Sequence, residues 1–343
     1  MHVGGKEVEY AVFIQNQMDL GRHNAEVYMR FDTDLNSTKE GIRRSVPDNS
    51  HSQLFDSYGR MRPTEPAKTE KVLLPTMYTD QNGFTVEKRV KIDAIGYEGN
   101  TYPVNTMAYL QDEQKNIRFT VLVDRTHGFS SMENGRIEGL VERRTVFDDG
   151  RGMGEGVTDN KDTVSNYVLL LEKVNFSGPH HQNTKKSYEP LLPTLAAHRG
   201  TQELSYPPAT FVFHDENSST TGNLKGVYPF FNQEFPCDSH VLNLRSMSES
   251  NTAEEFDMNF PSSKALLIVQ KLGYLCVGGK LACGNLSPNR LFYPTTTFNG
   301  LKVESVKQSS LSGLISSNSS SLSSLAELEA KPFEIKSAVV SFQ

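Results

Sequence analysis

The residues whose types and spacing could support chemistry form the acidic, glycine-rich run Asp148-Asp149-Gly150-Arg151-Gly152. Its glycines, with those at 154 and 156, let the backbone approach a ligand closely. Carboxylates, a guanidinium group and exposed carbonyls suit hydroxyl-rich ligands such as sugars. A structural turn in which Arg151 pairs with Asp148 or Asp149 fits the same residues. Taken by itself, the run favours the turn and leaves the sugar site open.

The same run does not fit nucleotide binding or catalysis. A dinucleotide loop needs a helix N-terminus behind it and no carboxylates facing the phosphates, whereas a strand is expected after this run. Asp148 and Asp149 are neighbours, so on a strand their side chains point to opposite faces, while a glycosidase needs two carboxylates that face each other. The sequence also lacks His-x-Asp, His-Glu-x-x-His and Gly-x-Ser-x-Gly motifs. No catalytic residue is predicted in this chain.

Composition narrows the class of protein. The chain has 343 residues and a net charge of −6, which argues against nucleic acid as a partner. No apolar run reaches the roughly 18–20 residues of a membrane helix, and no signal peptide is visible at the N-terminus. As a whole protein the chain is expected in the cytosol. If the chain is a fragment, its targeting segment is expected upstream.

Cysteine spacing leaves alternatives open. Cys276 and Cys283 enclose a short glycine-containing loop that could bring their sulfur atoms within bonding distance, although two unrelated core thiols fit equally well. Cys237 is expected to be an unpaired, buried side chain. A zinc site is disfavoured, because no second Cys/His pair stands at ligand spacing.

Acceptor motifs for N-glycosylation are compatible with a secretory protein without establishing one. They occur at Asn36, Asn175, Asn217, Asn285 and Asn318.

Alternation of β-branched and aromatic residues with polar ones predicts strands along most of the chain. Many strands, few helices and regular turns together predict an all-β fold, an antiparallel β-sandwich. One short helix is expected within 191–204, where Pro193 limits its start. The strands are predicted at 8–14, 26–31, 84–92, 117–123, 137–146, 166–174, 209–213, 241–247, 265–271, 301–304 and 333–342.

Two polar stretches interrupt this pattern. Residues 1–32 hold the first strands, and residues 33–76 are expected to form a mobile insertion because they are charged and contain several prolines. Residues 77–343 are predicted to form the rest of the sandwich. Within them, the serine-rich run 309–324 is expected to be a flexible connection before the last strand.

Several segments resemble the C-terminal portion of glycoside hydrolase family 38, the class II α-mannosidases. The acidic run, followed by Asp159-Asn160-Lys161 and by Leu170-Leu171-Glu172-Lys173, is the most specific of them and is closest to the Golgi α-mannosidase II branch. The other segments are residues 102–112, Phe129-Ser130-Ser131, residues 78–83, residues 236–245 and residues 332–336.

This resemblance implies a supersandwich-like fold and the C-terminal part of a retaining, zinc-dependent enzyme that removes terminal α-linked mannose during N-glycan processing. In that family the zinc ligands, the aspartate nucleophile and the acid/base lie in an N-terminal half whose motifs do not occur here. The partners implied are a mannose-containing N-glycan and that N-terminal half. The compartment implied is the Golgi lumen, with an anchor upstream, or alternatively the lysosome.

The resemblance also assigns roles to single residues. Arg151 matches the arginine whose main-chain carbonyl reaches a hydroxyl of bound mannose, and Asp148, Asp149 and Gly152 match residues that hold that loop. Cys276 and Cys283 fall where the Golgi branch places a disulfide. The chain alone is therefore expected to bind no zinc and to be inactive. The alternative is a β-sandwich that binds carbohydrate or acts as a scaffold without catalysis.

Overall fold

The structure, a computed structural model, describes most of the chain with gaps, and it divides the chain into two compact units. These are Met1–Leu191 with Arg199–Tyr206, and Leu192–His198 with Pro207–Gln343. The described residues are 6–14, 24–45, 68–82, 84–146, 152, 156, 163–174, 176, 192–207, 209–210, 229–247, 262–274, 289–314 and 316–343.

Strands dominate the first unit. They are β1 (Lys6–Ile14), β2 (Ala25–Asp32), β3 (Thr38–Ser45), β4 (Lys68–Asp80), β5 (Val86–Val90), β6 (Tyr102–Val104), β7 (Met107–Asp112), β8 (Ile117–Val123), β9 (His127–Ser130), β10 (Arg136–Arg144) and β11 (Thr163–Lys173). A short 3-10 helix, Glu98–Asn100, precedes β6. Strands near most of the predicted positions confirm that alternation is a sound guide here.

Two antiparallel sheets make up this unit. The first has the order β1-β11-β8-β7-β4-β3 with β5 paired to β4, and the second has the order β2-β10-β9-β6. Their shared core includes Val121 from the first sheet and Ile137 from the second, both fully buried. The rings of Phe31 and Phe119 meet across the sheets with centroids 5.6 Å apart. The predicted antiparallel β-sandwich is confirmed.

The outer face of β8, in the middle of the first sheet, is buried as well. In β8, Phe119, Val121 and Val123 point into the shared core, and the residues between them lie on the other face and are buried too. Leu122 on that outer face lies so close to Gly200 that a Cβ there would approach its Cδ1 to 2.5 Å. A side chain at position 200 would require the end of the Leu122 side chain to move.

Much of the stretch 33–76, predicted to be a mobile insertion, forms a hairpin. Residues 38–45 form β3 and residues 68–76 the first part of β4, and the two strands pair from Thr38 with Pro75 to Ser45 with Lys68. Leu74 is buried against Gly41, where a Cβ would clash with the leucine side chain. Polar composition obscured this hairpin because one face of an antiparallel ribbon can remain in water. Residues 46–67 lie outside the described residues.

The second unit contains one five-stranded antiparallel sheet with the order β12-β13-β16-β14-β15. Its core consists largely of phenylalanine and leucine side chains, among them Phe292 and Leu267. A 3-10 helix also covers Leu325–Glu327. The strands are β12 (Ser239–Ser246), β13 (Lys264–Lys271), β14 (Val303–Ser309), β15 (Ser316–Leu322) and β16 (Ile335–Phe342).

The serine-rich run at 309–324 is not the flexible connection that its composition predicted. Its residues 316–322 form β15, which pairs with β14, and Gly313 lies in the turn between them at a φ of +78°. Glycine adopts that left-handed backbone conformation without strain.

The one predicted helix is confirmed as α1 (Leu195–Ser205). The Ala197 amide donates to Thr194 Oγ1 at 3.1 Å, so Thr194 caps the N-terminus of the helix. The boundary between the two units runs through this helix.

Candidate functional site

The predicted sugar-binding run lies in the connection from β10 to β11. Asp148, Asp149 and Arg151 lie outside the described residues, so the roles that the resemblance assigns to them stay predictions. Gly152 and Gly156 are described, and so are both strands that lead into the connection. The geometry of the connection is therefore argued from its base and from these two glycines.

The base of the connection is narrow. A Cβ on Gly156 would lie 3.0 Å from the carbonyl carbon of Val146 and closer still to the carbonyl oxygen of Thr145. The returning chain thus passes directly against the departing chain, which only glycine permits. The Val146 amide donates to Asn24 Oδ1 at 2.9 Å, which ties the base to the residue before β2. We call residues 147–155, which connect Val146 to Gly156 along the chain, the pinched loop.

Gly152, within the pinched loop, contrasts with Gly156. It is exposed, and a Cβ on it would meet nothing within 4 Å. Open space beside this residue agrees with a position that faces solvent or a ligand, while the close approach at Gly156 serves the fold.

His127 connects the two strands that flank the pinched loop. Its Nδ1–H donates to the carbonyl of Leu140 in β10 at 3.0 Å, so the neutral ring accepts at Nε2 from the hydroxyl of Tyr167 in β11, at 3.2 Å. The pairing of β10 with β2 shifts register just after Leu140, and such bulges redirect a strand. This bridge was missed from the sequence, where His127 stood alone without a partner.

Burial keeps this bridge neutral. It lowers the pKa of His127, with the Leu140 carbonyl opposing the shift, and it raises the pKa of Tyr167 to about 12. Near neutral pH the imidazole is uncharged and the phenol protonated, so the hydrogen bonds keep one direction. The strands that carry the pinched loop are joined by an uncharged, buried contact.

Asp80 organises a second loop, in a segment that carries the family resemblance. Its Oδ1 accepts hydrogen bonds from the amides of Asn105, Thr106 and Met107 at 2.8, 3.0 and 3.3 Å. The carboxylate is 2% exposed. Backbone amides that converge on a buried carboxylate fix the entry to β7 against the end of β4. The role is positional, because the side chain is enclosed.

A buried cation lies on the outer face of the first sheet. The guanidinium of Arg118 is 4.0 Å from the ring centroid of Tyr109, which stacks on Tyr78 at 4.9 Å. Gln111 accepts from Arg118 at 3.0 Å and donates to the Tyr78 hydroxyl at 3.1 Å. Stacking of this kind stabilises a cation away from water. The sequence signal for this buried cation was the position of Arg118 in the middle of an alternating strand.

No group of three or more His, Cys, Asp or Glu side chains that could hold a metal occurs among the described residues. The part of the chain that the structure describes therefore does not fit the zinc site of the family. The expectation that this chain binds no zinc stays a prediction. The described part also contains no helix long and apolar enough to cross a membrane.

Cys237, expected to be unpaired, is disulfide-bonded. Cys276 and Cys283 are the other two cysteines of the chain and lie outside the described residues. The expected Cys276–Cys283 pairing does not fit a bond at Cys237, because three cysteines cannot supply two disulfides. Ser239 pairs with Lys271, so the chain leaving β13 starts beside Cys237.

Comparison with known proteins decides the family. Residues 6–151 match the model of the glycosyl hydrolases family 38 C-terminal domain. The chain carries this family 38 domain. The match runs from β1 through β10 and ends at Arg151, inside the pinched loop. Asp148, Asp149 and Arg151 therefore lie within the matched domain, and Gly152 directly follows it.

Curated relatives extend the similarity beyond that domain. The α-mannosidase 2 of Spodoptera frugiperda is 32% identical over 286 residues, which is 78% of this chain and 24% of that protein. The α-mannosidase 2 of Mus musculus is 34% identical over 267 residues, 75% of this chain and 22% of that protein. A lysosomal α-mannosidase of Dictyostelium discoideum is 30% identical over 128 residues, 34% of this chain and 13% of that protein. The chain spans less than a quarter of the length of these relatives.

Proposed function

We propose that this chain is the C-terminal β portion of an α-mannosidase and that its pinched loop forms one wall of a mannose pocket. The observation that carries the proposal is the narrow base at Gly156 on a family 38 domain. The close approach of Gly156 to Thr145 and Val146 ties together the two ends of the connection that contains the acidic run in the sequence. A fixed loop can hold a sugar hydroxyl in one orientation without losing its own conformational freedom on binding.

In this proposal Arg151 acts through its main-chain carbonyl, which accepts a hydrogen bond from a hydroxyl of mannose. Asp148, Asp149 and Gly152 keep the backbone around that carbonyl in place. The zinc ion, the nucleophile and the acid/base belong to another part of the enzyme, which the resemblance places in an N-terminal half. Zinc there supplies electrophilic stabilisation of the sugar, and this chain contributes orientation only.

The proposed substrate is terminal α-linked mannose on an N-glycan, cleaved with retention of configuration. The proposed location is the Golgi lumen. The relatives include both α-mannosidase 2 proteins and a lysosomal α-mannosidase, so the lysosome is the alternative.

A chimera tests the proposal. Residues 6–343 replace the aligned segment of the Spodoptera frugiperda α-mannosidase 2, and the chimera and the 343-residue chain alone are assayed on an aryl α-mannoside with zinc. The chimera is expected to cleave the substrate and the chain alone to leave it intact. Zinc-dependent cleavage by the chain alone, or a folded chimera without activity, contradicts the proposal. Mannoside binding by the chain alone points instead to the non-catalytic carbohydrate-binding alternative.

Loop variants in the chimera test the role of the Arg151 carbonyl. Arg151→Ala keeps the carbonyl, and kcat/KM is expected to change only a few-fold. Gly152→Pro restricts the backbone of Arg151 and displaces the carbonyl. A displacement of about 1 Å costs about a hundredfold in rate. Gly152→Ala is the matched control, since its Cβ enters open space. A larger loss in Arg151→Ala than in Gly152→Pro would assign the role to the side chain.

A further inference from the structure

The loop between β2 and β3, residues 33–37, is held firmly to the sandwich. The Thr33 amide and hydroxyl donate to the carbonyl of Gly135 at 2.9 and 2.8 Å. The Ser37 amide donates to Asn134 Oδ1 at 2.9 Å, and the Gly135 amide donates to Ser37 Oγ at 3.0 Å. The loop thus shares a hydrogen-bond network with the turn before β10 and has one conformation.

Asn36 is the residue that this loop turns outward. Its neighbours Leu35 and Ser37 are each 4% exposed, whereas Asn36 is exposed. Its backbone amide is bound to Asp112 Oδ2 at 2.9 Å, which fixes the main chain. The loop therefore presents one amide side chain to solvent from a rigid base.

The Asn36 side chain is arranged as an acceptor motif. The hydroxyl of Thr38 donates to Asn36 Oδ1 at 2.8 Å, so the two residues that define Asn-x-Ser/Thr are in direct contact. Asn36 Nδ2 makes no hydrogen bond to any residue that the structure describes. A substituent on Nδ2 would leave the hydrogen bond at Oδ1 intact and would extend into solvent.

We propose that Asn36 carries an N-linked oligosaccharide. An oligosaccharide is transferred from a polyprenyl pyrophosphate donor: a bond forms between Asn36 Nδ2 and the anomeric carbon, the bond from that carbon to the phosphate oxygen breaks, Nδ2 loses one proton and the polyprenyl pyrophosphate leaves. The inference rests on the proposed function in one respect, because the transfer occurs in the lumen of the secretory pathway.

The other acceptor motifs do not support the same argument. Asn175, Asn217 and Asn285 lie outside the described residues, and Asn318 lies in β15, where the side chains are not described. Asn36 is also followed by threonine at the second position, where these four have serine.

The test directs the full 343-residue chain into the secretory pathway of cultured insect cells with a cleavable signal peptide. Enzymatic removal of N-glycans in ¹⁸O-labelled water converts an occupied asparagine to labelled aspartate, which peptide mass spectrometry locates. Most wild-type molecules are expected to carry the label at residue 36. Asn36→Gln and the near-isosteric Thr38→Val lose it, and Thr38→Ser, which keeps the hydroxyl, retains it.

An unlabelled Asn36 in wild-type chain whose signal peptide has been cleaved overturns the inference, as does label at residue 36 in Thr38→Val. The α-mannosidase chimera separates this outcome from the proposed function. Asn36 occupied in an inactive, folded chimera contradicts the proposed function alone. Asn36 unoccupied in an active chimera contradicts the glycosylation site alone.

Discussion

In the first unit buried carboxylates hold the loops through backbone amides, whereas in the second unit a cluster of phenylalanine rings fills the core. Asp80 accepts hydrogen bonds from three consecutive backbone amides. Asp112 accepts hydrogen bonds from the amides of Gln114 and Lys115 at 3.0 and 2.9 Å. In the second unit the ring of Phe231 lies 4.7 Å from those of both Phe235 and Phe298.

These two arrangements differ in what they specify. Hydrogen bonds to a carboxylate are directional, so they fix the conformation of a particular loop. Ring packing is far less directional and stabilises the unit through buried area. Disturbing the first is expected to move loops, and disturbing the second to lower stability without changing loop geometry. The first two of the four predictions that follow test this distinction.

The largest effect is expected from Phe292→Ala in the second unit. Phe292 is 0% exposed and packs in the main cluster, and loss of such a ring costs about 4 kcal/mol in the free energy of unfolding. Phe230→Ala is the matched control, because that ring is 53% exposed. Hydrogen exchange of β13 and β16 in urea measures both. Equal destabilisation by the two variants would contradict a core role for the cluster.

Asp80→Ala in the first unit is expected to come next. It leaves the amides of Asn105, Thr106 and Met107 buried without their acceptor, which costs about 3 kcal/mol. The exposed Asp34, which pairs with Lys115 at 2.8 Å, is the control, and Asp34→Ala is expected to leave stability unchanged. Amide exchange at residues 105–107 should accelerate in Asp80→Ala before β8 is affected. Uniform acceleration would show that Asp80 supports the whole unit and not this loop.

Alternation of apolar and polar residues predicted the sandwich because the residue types along each strand of the first unit reflect the burial of its two faces. The strand predicted at 117–123 has the same bounds as β8. Most residues on both of its faces are buried. The contacts of Arg118 and of His127 depend instead on which strand lies beside which. The rings of Tyr109 and Tyr78 stack because β7 pairs with β4 in one particular register. The sequence of neither strand alone predicts that register.

The failures have the same physical origin. Composition favoured flexibility at 33–76 and at 309–324, yet both regions contain hairpin strands whose partners lie nearby in the chain. Hydrogen bonds along a hairpin offset a polar composition when one side of the ribbon faces water.

The base of the pinched loop should respond to a single methyl group. Gly156→Ala places a Cβ against the backbone of Thr145 and Val146, and the required shift costs about 2 kcal/mol. Gly152→Ala, with nothing within 4 Å of its Cβ, is expected to be neutral. Thermal unfolding of both variants gives the stabilities, and the α-mannosidase chimera gives the activities. Stability and activity are expected to fall further in Gly156→Ala than in Gly152→Ala, and equal loss in the two variants would contradict the pinched base.

The smallest effect should come from a histidine of the second unit. His198 is fully buried, and its Nε2–H donates to the carbonyl of Gly273 at 2.9 Å. Burial lowers the pKa of His198 to about 4, although the Gly273 carbonyl opposes the shift and His240 adds to it. In the unfolded chain the imidazole titrates near its ordinary pKa of 6.5.

Acidification therefore favours the unfolded state of this unit. Above the unfolded pKa the two states bind the same number of protons, so His198 gives no pH dependence there. Between that pKa and the folded pKa near 4, only the unfolded imidazole is protonated, and stability falls as the pH falls. The loss is about 1 kcal/mol between about pH 6.5 and pH 5.5. His198→Gln keeps a donor for the Gly273 carbonyl and removes the titration, so its stability should vary less across this range. An unchanged slope in His198→Gln, measured by urea unfolding, would assign the pH dependence to His240, whose pKa burial also lowers.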